Sequence, residues 1–336
     1  MSSNIREVAK KAGLSHASVS RFLNGYKIKK ENEEKIKKAI EELGFKESPI
    51  IKAMRTKKSM SIGVLVPGLI APYFMEILQK IEKILFKYKY NLILCSYELD
   101  TDIFIDKVNL LTEKLIDGLI IFPAAKFKET KNLIHKIIKN KTPVVILDEF
   151  IESFQTDSIV VRNREASFRA VEYLINNNHK KIGIITGIKN AYVANERLQG
   201  CIDAFKAYGI EFDANYIKYG DYTSEGGVKC TKKLLKMENP PTAIFTLNFD
   251  MTMGAVLAIN NSELSIYNDI SLVGFDRYSL TDAISPALTL IEQPIENLAN
   301  ETVDLLLKRM KGDYNGFPST IKLDAKLIIR DSVKKI

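Results

Sequence analysis

Cysteine is scarce in this 336-residue chain: Cys95, Cys201 and Cys230 are an odd number, far apart, with no CxxC pair. That argues against a disulfide framework or a zinc site and suits a reducing compartment. Histidine is as sparse, and His16, His135 and His179 have no nucleophile or metal-ligand pattern beside them. There is no P-loop, no GxGxxG after a strand and no HExxH, so neither catalysis nor a cofactor or metal is expected. No apolar run approaches the roughly 18 residues of a membrane span. The opening MSSNIREVAKKAG lacks the apolar centre of a signal peptide. The expectation is a cytoplasmic protein without membrane contact.

What the chain does contain is an ordinary globular mixture, 46% hydrophobic and 27% charged, long enough for two or three domains. Its net charge of +8 is unevenly distributed. Residues 1 to 60 hold 15 basic and 7 acidic side chains, while the remaining 276 residues hold 34 of each. A field concentrated at one end favours a polyanion such as a nucleic-acid backbone. A lysine-rich, solvated helical surface is the plainer alternative.

The basic segment reads as three short helices. Asn4 can cap the first, with Glu7 closing a capping box, and Gly13 stops it. Ser15 caps the second, which buries Val19, Phe22 and Leu23 and ends near Asn24-Gly25. The third runs from about Asn32 to Leu43, with Ile36, Ala39, Ile40 and Leu43 inward and Gly44 as its stop. Two helices joined by a glycine turn and backed by a third make a helix-turn-helix module. The outward face of the second helix carries His16, Ala17, Ser20 and Arg21. Arg can donate twice to guanine, His can donate or accept, and Ala can touch a thymine methyl. A three-helix domain that binds protein is the rival reading.

From Ile62 onward, short apolar runs alternate with amphipathic stretches. Candidate strands are Ile62–Val66, Leu92–Cys95, Gly118–Phe122, Val144–Leu147, Ile182–Thr186, Thr242–Phe245 and Ile270–Val273. Helical patterns such as Tyr73–Tyr88, Ala166–Asn178 and Glu225–Met237 separate them. This predicts βαβ units in two doubly wound parallel-sheet lobes, with ligand at the carboxyl ends of the strands, between lobes. Polar and aromatic residues follow several of those ends, namely Tyr73-Phe74, Asp148, Asn248 and Asp276, with Arg197 in ERLQGCIDAF and Tyr222 in GDYTSEGG further along. Carboxylates, amides and a guanidinium around an aromatic face suit sugar hydroxyls, each of which needs donors and acceptors. Tyr73 and Phe74 read equally well as core aromatics, and Asp148 as a strand-end cap. His179, in NNNHKKIGI, reads as a packing or capping residue.

IREVAKKAGLSHASVSRFLNG resembles the headpiece of the LacI/GalR family of bacterial repressors, which read close to DVAxxAGVSxxTVSRxLN. Val8-Ala9, Ala12-Gly13, Ser15, Val19-Ser20-Arg21 and Leu23-Asn24 keep the family spacing. IEELGFKESPIIKAMRTKKSMSIGVLVP matches the headpiece end, hinge and first core strand, and the likeness continues to the last line of the chain. The resemblance implies a periplasmic-binding-protein-like core behind an all-α helix-turn-helix domain. It divides the chain into a headpiece over 1–47, a hinge over 48–60 and a core over 61–336. Lobe 1 would span about 61–161 plus 292–322, and lobe 2 about 162–291 plus 323–336. A returning helix is expected around Glu296–Met310.

For DNA, the resemblance implies major-groove reading by Ser15, His16, Ala17, Ser20 and Arg21. It implies backbone contacts from Asn4, Ser18 and Asn24. Lys52, Ala53, Met54 and Arg55 would form a hinge helix in the minor groove. Met54 stands where the family has a wedging leucine, and Ile51-Lys52 replaces Ala-Arg. A plain tether is the alternative. For effector, Tyr73-Phe74 match the family's NPFF-like position, and Arg197 lies in its RxxGxxxA motif, in an intact sequence context like that of Asp276. The family's DN after the fifth core strand appears as Arg162-Asn163, and its ND as Asn248-Phe249 with Asp250 displaced. Arg162 is accordingly expected to tilt preference toward an acidic or phosphorylated sugar, unless a nearby carboxylate pairs with it.

The reading is a DNA-binding transcription regulator, a repressor, and not an enzyme. It binds a pseudo-palindromic duplex operator as a homodimer under control of a sugar-type effector. No heptad tail follows RDSVKKI, so a tetramer-forming extension is not expected. The alternatives are a cytoplasmic sugar-binding or sugar-metabolising protein with a basic extension, and a regulator controlled by a protein partner.

Overall fold

The structure is a computed structural model that describes residues 4–23, 25–45, 58–114, 116–123, 131–139, 142–149 and 155–336. The basic end folds as α1 (Ile5–Ala12), α2 (His16–Leu23) and α3 (Lys30–Leu43). Asn4 Oδ1 accepts from the Arg6 and Glu7 amides, and Glu7 reaches back to the Asn4 amide, so the capping box is complete. Gly13 (φ 65°) and Gly44 (φ 56°) end α1 and α3 in the left-handed conformation that a side chain disfavours. Val8, Ala9, Ala12, Val19, Ile36 and Ala39 close a small core, with Phe22, Leu23, Ile40 and Leu43 packed at its margin. α3 starts two residues before the expected Asn32, without a side-chain cap. Glu31 and Glu33 in its first turn favour the helix dipole instead.

The body contains two six-stranded sheets. In the first lie β1 (Ser61–Val66), β2 (Asn91–Ser96), β3 (Gly118–Ile121), β4 (Val144–Leu147), β5 (Asp157–Val161) and β11 (Thr320–Leu323). Their order is β11-β5-β4-β3-β1-β2. The second holds β6 (Ile182–Thr186), β7 (Ile217–Tyr219), β8 (Ala243–Thr246), β9 (Ser271–Phe275), β10 (Thr289–Glu292) and β12 (Lys326–Ile328). Its order, β12-β10-β9-β8-β6-β7, repeats the first. All pairings are parallel except β10 with β12. The register of Ile62 against both Leu92 and Gly118 is typical of the first sheet.

Parallel strands must be buried on both faces, and both sheets are. On the first, α4 (Pro72–Lys87) and α11 (Ile295–Met310) cover one face through Ile77, Ile81, Leu298 and Val303. α5 (Thr101–Lys114) and α6 (Lys131–Lys139) cover the other through Phe104, Leu111 and Ile134. On the second, α7 (Asn163–Asn176) and α8 (Tyr192–Ala207) oppose α9 (Ser224–Leu235) and α10 (Phe249–Asn260).

The chain changes sheets after β5, after β10 and again between β11 and β12. A buried ion pair fixes the second return. Arg309, near the end of α11, donates to both oxygens of Asp157 at 2.7 and 3.0 Å, and Asp157 also accepts from the Ser319 amide. At the entrance to the body, the Asp117 carboxylate accepts from the Ser59 and Met60 amides at 2.7 and 3.0 Å and pins residue 60 beside β3. His179 is buried between Thr242 (2.8 Å) and the Lys334 carbonyl (2.9 Å), in keeping with a packing role.

Candidate functional site

Two surfaces carry candidate chemistry. The first is α2. His16, Ala17 and Arg21 are exposed and Ser20 half-exposed, because Val19 takes the buried side of this short helix. Lys11, Lys35, Lys37 and Lys38 are engaged by Glu31, Glu33 and Glu42. Arg6, Lys10, Arg21, Lys27, Lys29 and Lys30 form no ion pair among the described residues. The side chains of Asn4, Ser15 and Ser18 hold the helices themselves. Asn4 closes the capping box, while Ser15 Oγ accepts from the Ser18 amide at 3.1 Å and lies 2.9 Å from Ser18 Oγ. Asn24 and the hinge residues Lys52, Ala53, Met54 and Arg55 lie outside the described residues.

The second is a cavity of about 590 Å³ between the two sheets, at the carboxyl ends of their strands. It gathers all seven residues singled out for effector: Tyr73, Phe74, Asp148, Arg197, Tyr222, Asn248 and Asp276. Tyr73 and Phe74 start α4, Pro72 fitting its first turn. Phe74 packs edge-on to both Tyr73 and Phe122, at 5.5 and 5.2 Å. The two aromatics are thus cavity wall and core margin at once.

Asp148 and Asp276 occupy equivalent positions in the repeated sheets. Each follows its strand in the left-handed region, at φ 65° and 71°. Their amides donate 2.8 Å bonds to Ile159 and Ile291, in the neighbouring strands β5 and β10. Non-glycine residues held this way store strain, a pattern that concentrates at working sites. Burial pushes the Asp148 carboxyl up to about 6, although the Arg197 guanidinium pulls it down. Burial also raises Asp276, against the pull of Arg197, Gln293 and the Phe249 amide.

Arg197 is the cation of the site. Its Nε donates to Asn163 Oδ1 at 2.8 Å and Nη1 to the Leu247 carbonyl at 2.6 Å, with the guanidinium 3.5 Å above the Phe275 ring. Asn248 caps α10 by accepting from the Met251 amide at 2.9 Å. Tyr222, at φ 64°, fits only because residue 187 is glycine: a Cβ there would sit 2.1 Å from its ring. Burial moves the Tyr222 hydroxyl up to about 12, so it stays protonated.

Gln293 was not foreseen, and Asn163 was noted only as the second half of the family's DN pair, with no role of its own. Gln293 is 7% exposed, lines the cavity and donates to Asp276 Oδ1. Asn163, 1% exposed, orients Arg197 from outside the lining. A polar residue straight after a strand that changes lobes was the only signal of Gln293. Arg162 requires a correction. Instead of entering the cleft, it runs to Glu165 (3.7 Å) and Asp324 (3.4 Å), 41% exposed, so its charge is met locally. The expected tilt toward acidic sugars loses its basis.

No helix among the described residues is long and apolar enough to cross a membrane. No cluster of potential metal ligands occurs among them.

Family models match both parts of the chain. "Bacterial regulatory proteins, lacI family" covers residues 4–48, and "Periplasmic binding proteins and sugar binding domain of LacI family" covers 59–321. The HTH-type transcriptional repressor CytR of Escherichia coli K12 is 33% identical over 99% of this chain and 96% of its own. The repressor PurR of Pasteurella multocida is 31% identical over 98% of each. Among solved structures, the Lac repressor dimer bound to operator and the anti-inducer ONPF superposes with a TM-score of 0.87. It shares 25% identity over 99% of this chain and all of that one. A ribose-bound LacI family regulator from Enterococcus faecium gives 0.74 and 26%, over 82% of this chain and 99% of its own.

Proposed function

The chain belongs to the LacI family of bacterial regulatory proteins, transcription regulators rather than enzymes, and on that premise we propose how its parts divide the work. Residues 1–47 bind duplex DNA, 48–60 couple head to body, and 61–336 bind effector and dimerise. His16, Ala17, Ser20 and Arg21 read base edges in the major groove. Ser15 joins them and, with Ser18, fixes the helix that presents them, and Asn4, Ser18 and Asn24 meet the backbone. Lys52, Ala53, Met54 and Arg55 enter the minor groove at the centre of a pseudo-palindromic operator. One reading helix per half-site requires two heads, hence a homodimer. The protein acts in the cytoplasm.

The effector is a small sugar-type molecule held by Tyr73, Phe74, Asp148, Arg197, Tyr222, Asn248 and Asp276. The observation that carries this reading is the derivation of those groups from both sheets: Asp148 and the two aromatics from one, the rest from the other. A ligand that touches both changes the lobe closure seen by the hinges. Effector and operator then alter each other's affinity by one common factor.

A truncation that begins at Ser61 tests the division. The full chain is expected to bind duplex DNA with a steep salt dependence, and the truncated body to lose both affinity and slope. DNA binding that survives the deletion would remove the headpiece assignment.

A further inference from the structure

The cavity lining is electrically one-sided. Among the described residues of the lining, Asp148, Glu149, Asp221, Asp250 and Asp276 contribute carboxylates, and Arg197 is the single basic side chain. That guanidinium spends two of its N–H groups on Asn163 and Leu247 and one face on Phe275, so it meets ligand with the donors that remain and cannot offset five carboxylates. Just outside the lining, Glu76 adds a half-buried carboxyl whose Oε2 has no partner.

The unpartnered buried atoms carry the same bias. Asp148 Oδ1 and Gln293 Oε1 are shielded acceptors without a closed hydrogen bond, and the Tyr73 hydroxyl, near enough to Asp148 to lower its carboxyl, is a donor beside them. Gln293 is held by its amide nitrogen, which donates to Asp276, so its oxygen is the end left for ligand. Phe74, Phe122 and Tyr222 supply apolar faces around these acceptors.

We infer that the effector is a non-anionic, donor-rich ring compound, an unphosphorylated polyhydroxylated ring on which amino groups are tolerated, and that phosphorylated or carboxylated sugars are rejected. This rests on the sugar-effector reading above and adds the charge class. A phosphate brings acceptors and negative charge to a site that already has both. Hydroxyl and amino groups bring the donors that Asp148 and Gln293 need. Repulsion in a partly desolvated cleft makes the discrimination large.

The test is a thermal-shift and calorimetric screen of the full-length protein with matched sets: ribose and ribose 5-phosphate; glucose, glucosamine, glucose 6-phosphate and glucuronate. Ligands are expected among the neutral or amino members, with the phosphorylated or carboxylated partner at least about tenfold weaker. Asp148→Asn, which keeps an acceptor and removes a charge, should narrow that ratio several-fold. Binding confined to anionic members, or a ratio unmoved by Asp148→Asn, overturns the charge class and leaves the sugar reading standing. Binding of no member by folded protein overturns both.

Discussion

Asp148→Asn should stabilise the ligand-free protein while weakening its hold on effector. The Asp148 carboxyl titrates at about 6 in the folded chain, against an ordinary value of 3.8. The folded state therefore binds the proton more tightly, and stability is lost as pH rises from the lower value through the higher. The rise from 3.8 to about 6, in which the attraction of Arg197 is already counted, corresponds to at most about 3 kcal/mol at pH 7 or above. A gain of about 1–3 kcal/mol is expected, or about 2–6 °C in the midpoint for a body of this size. Thermal unfolding of the ligand-free protein between pH 4 and pH 8 measures it. The advantage of the variant should be largest at neutral pH and fade toward pH 4. A variant less stable than the parent at pH 7.5, or an advantage independent of pH, would refute the buried-charge argument. The same substitution removes an acceptor of full charge from the cleft, so a binding site here is less stable than its fold allows.

Other outcomes follow from particular contacts. Asp157→Asn should destabilise the body by about 3–5 kcal/mol in urea unfolding, because it leaves Arg309 buried without its counter-charge; a change under 1 kcal/mol would mean that the pair is not closed in solution. Gly187→Ala drives a methyl into the Tyr222 ring and should cost effector affinity about tenfold or more with the fold intact by circular dichroism; unchanged affinity would take Tyr222 out of the site. Burial lowers His179, so its share of stability is complete above about 6.5 and drains away as pH falls toward its folded value. The gap between parent and His179→Gln should accordingly shrink on acidification from pH 7.5 to 5. Asn4→Ala removes the acceptor for two amides and should cost the head about 1 kcal/mol, read as weaker DNA binding with effector affinity unchanged.

The head was legible residue by residue because its signals are local. A capping box at Asn4 and Glu7, and glycines at 13 and 44, decide helix ends with little help from the rest of the chain. The long apolar strands were legible for a similar reason: VVIL and IGIIT are buried on both faces and need no partner to be recognised. The strands missed by the apolar pattern depend on contacts made across the sequence. Lys326–Ile328 is three residues long and becomes a strand only against Leu290–Glu292. Thr320–Leu323 is half-exposed and bears a lysine, and it is defined by its register with β5. Asp157 opens β5 with a charge that is tolerable only because Arg309, 152 residues away, meets it.

The same distinction governs the site. Strand-end residues with a recognisable neighbourhood, Arg197 and Asp276 above all, were found. Gln293 was missed, and Asn163 was seen only as half of a motif, because their roles are defined by Asp276 and Arg197, which are distant in sequence. Arg162 was misdirected since a sequence reports that a cation exists and not which carboxylate it faces. Here Glu165 lies one turn along the helix, and Asp324 arrives from the far end of the chain.

The central claim is that a cationic head reads an operator while a two-lobed body adjusts that reading by binding a sugar. Its most direct measurement is the affinity of the full-length protein for a palindromic duplex recovered from its bound genomic fragments, set against a scrambled duplex at the same salt concentration, with and without the sugar that shifts its melting. A preference for the palindrome of at least about a thousandfold, moved several-fold by the sugar, is the predicted result. Equal affinity for both duplexes under both conditions would contradict the account.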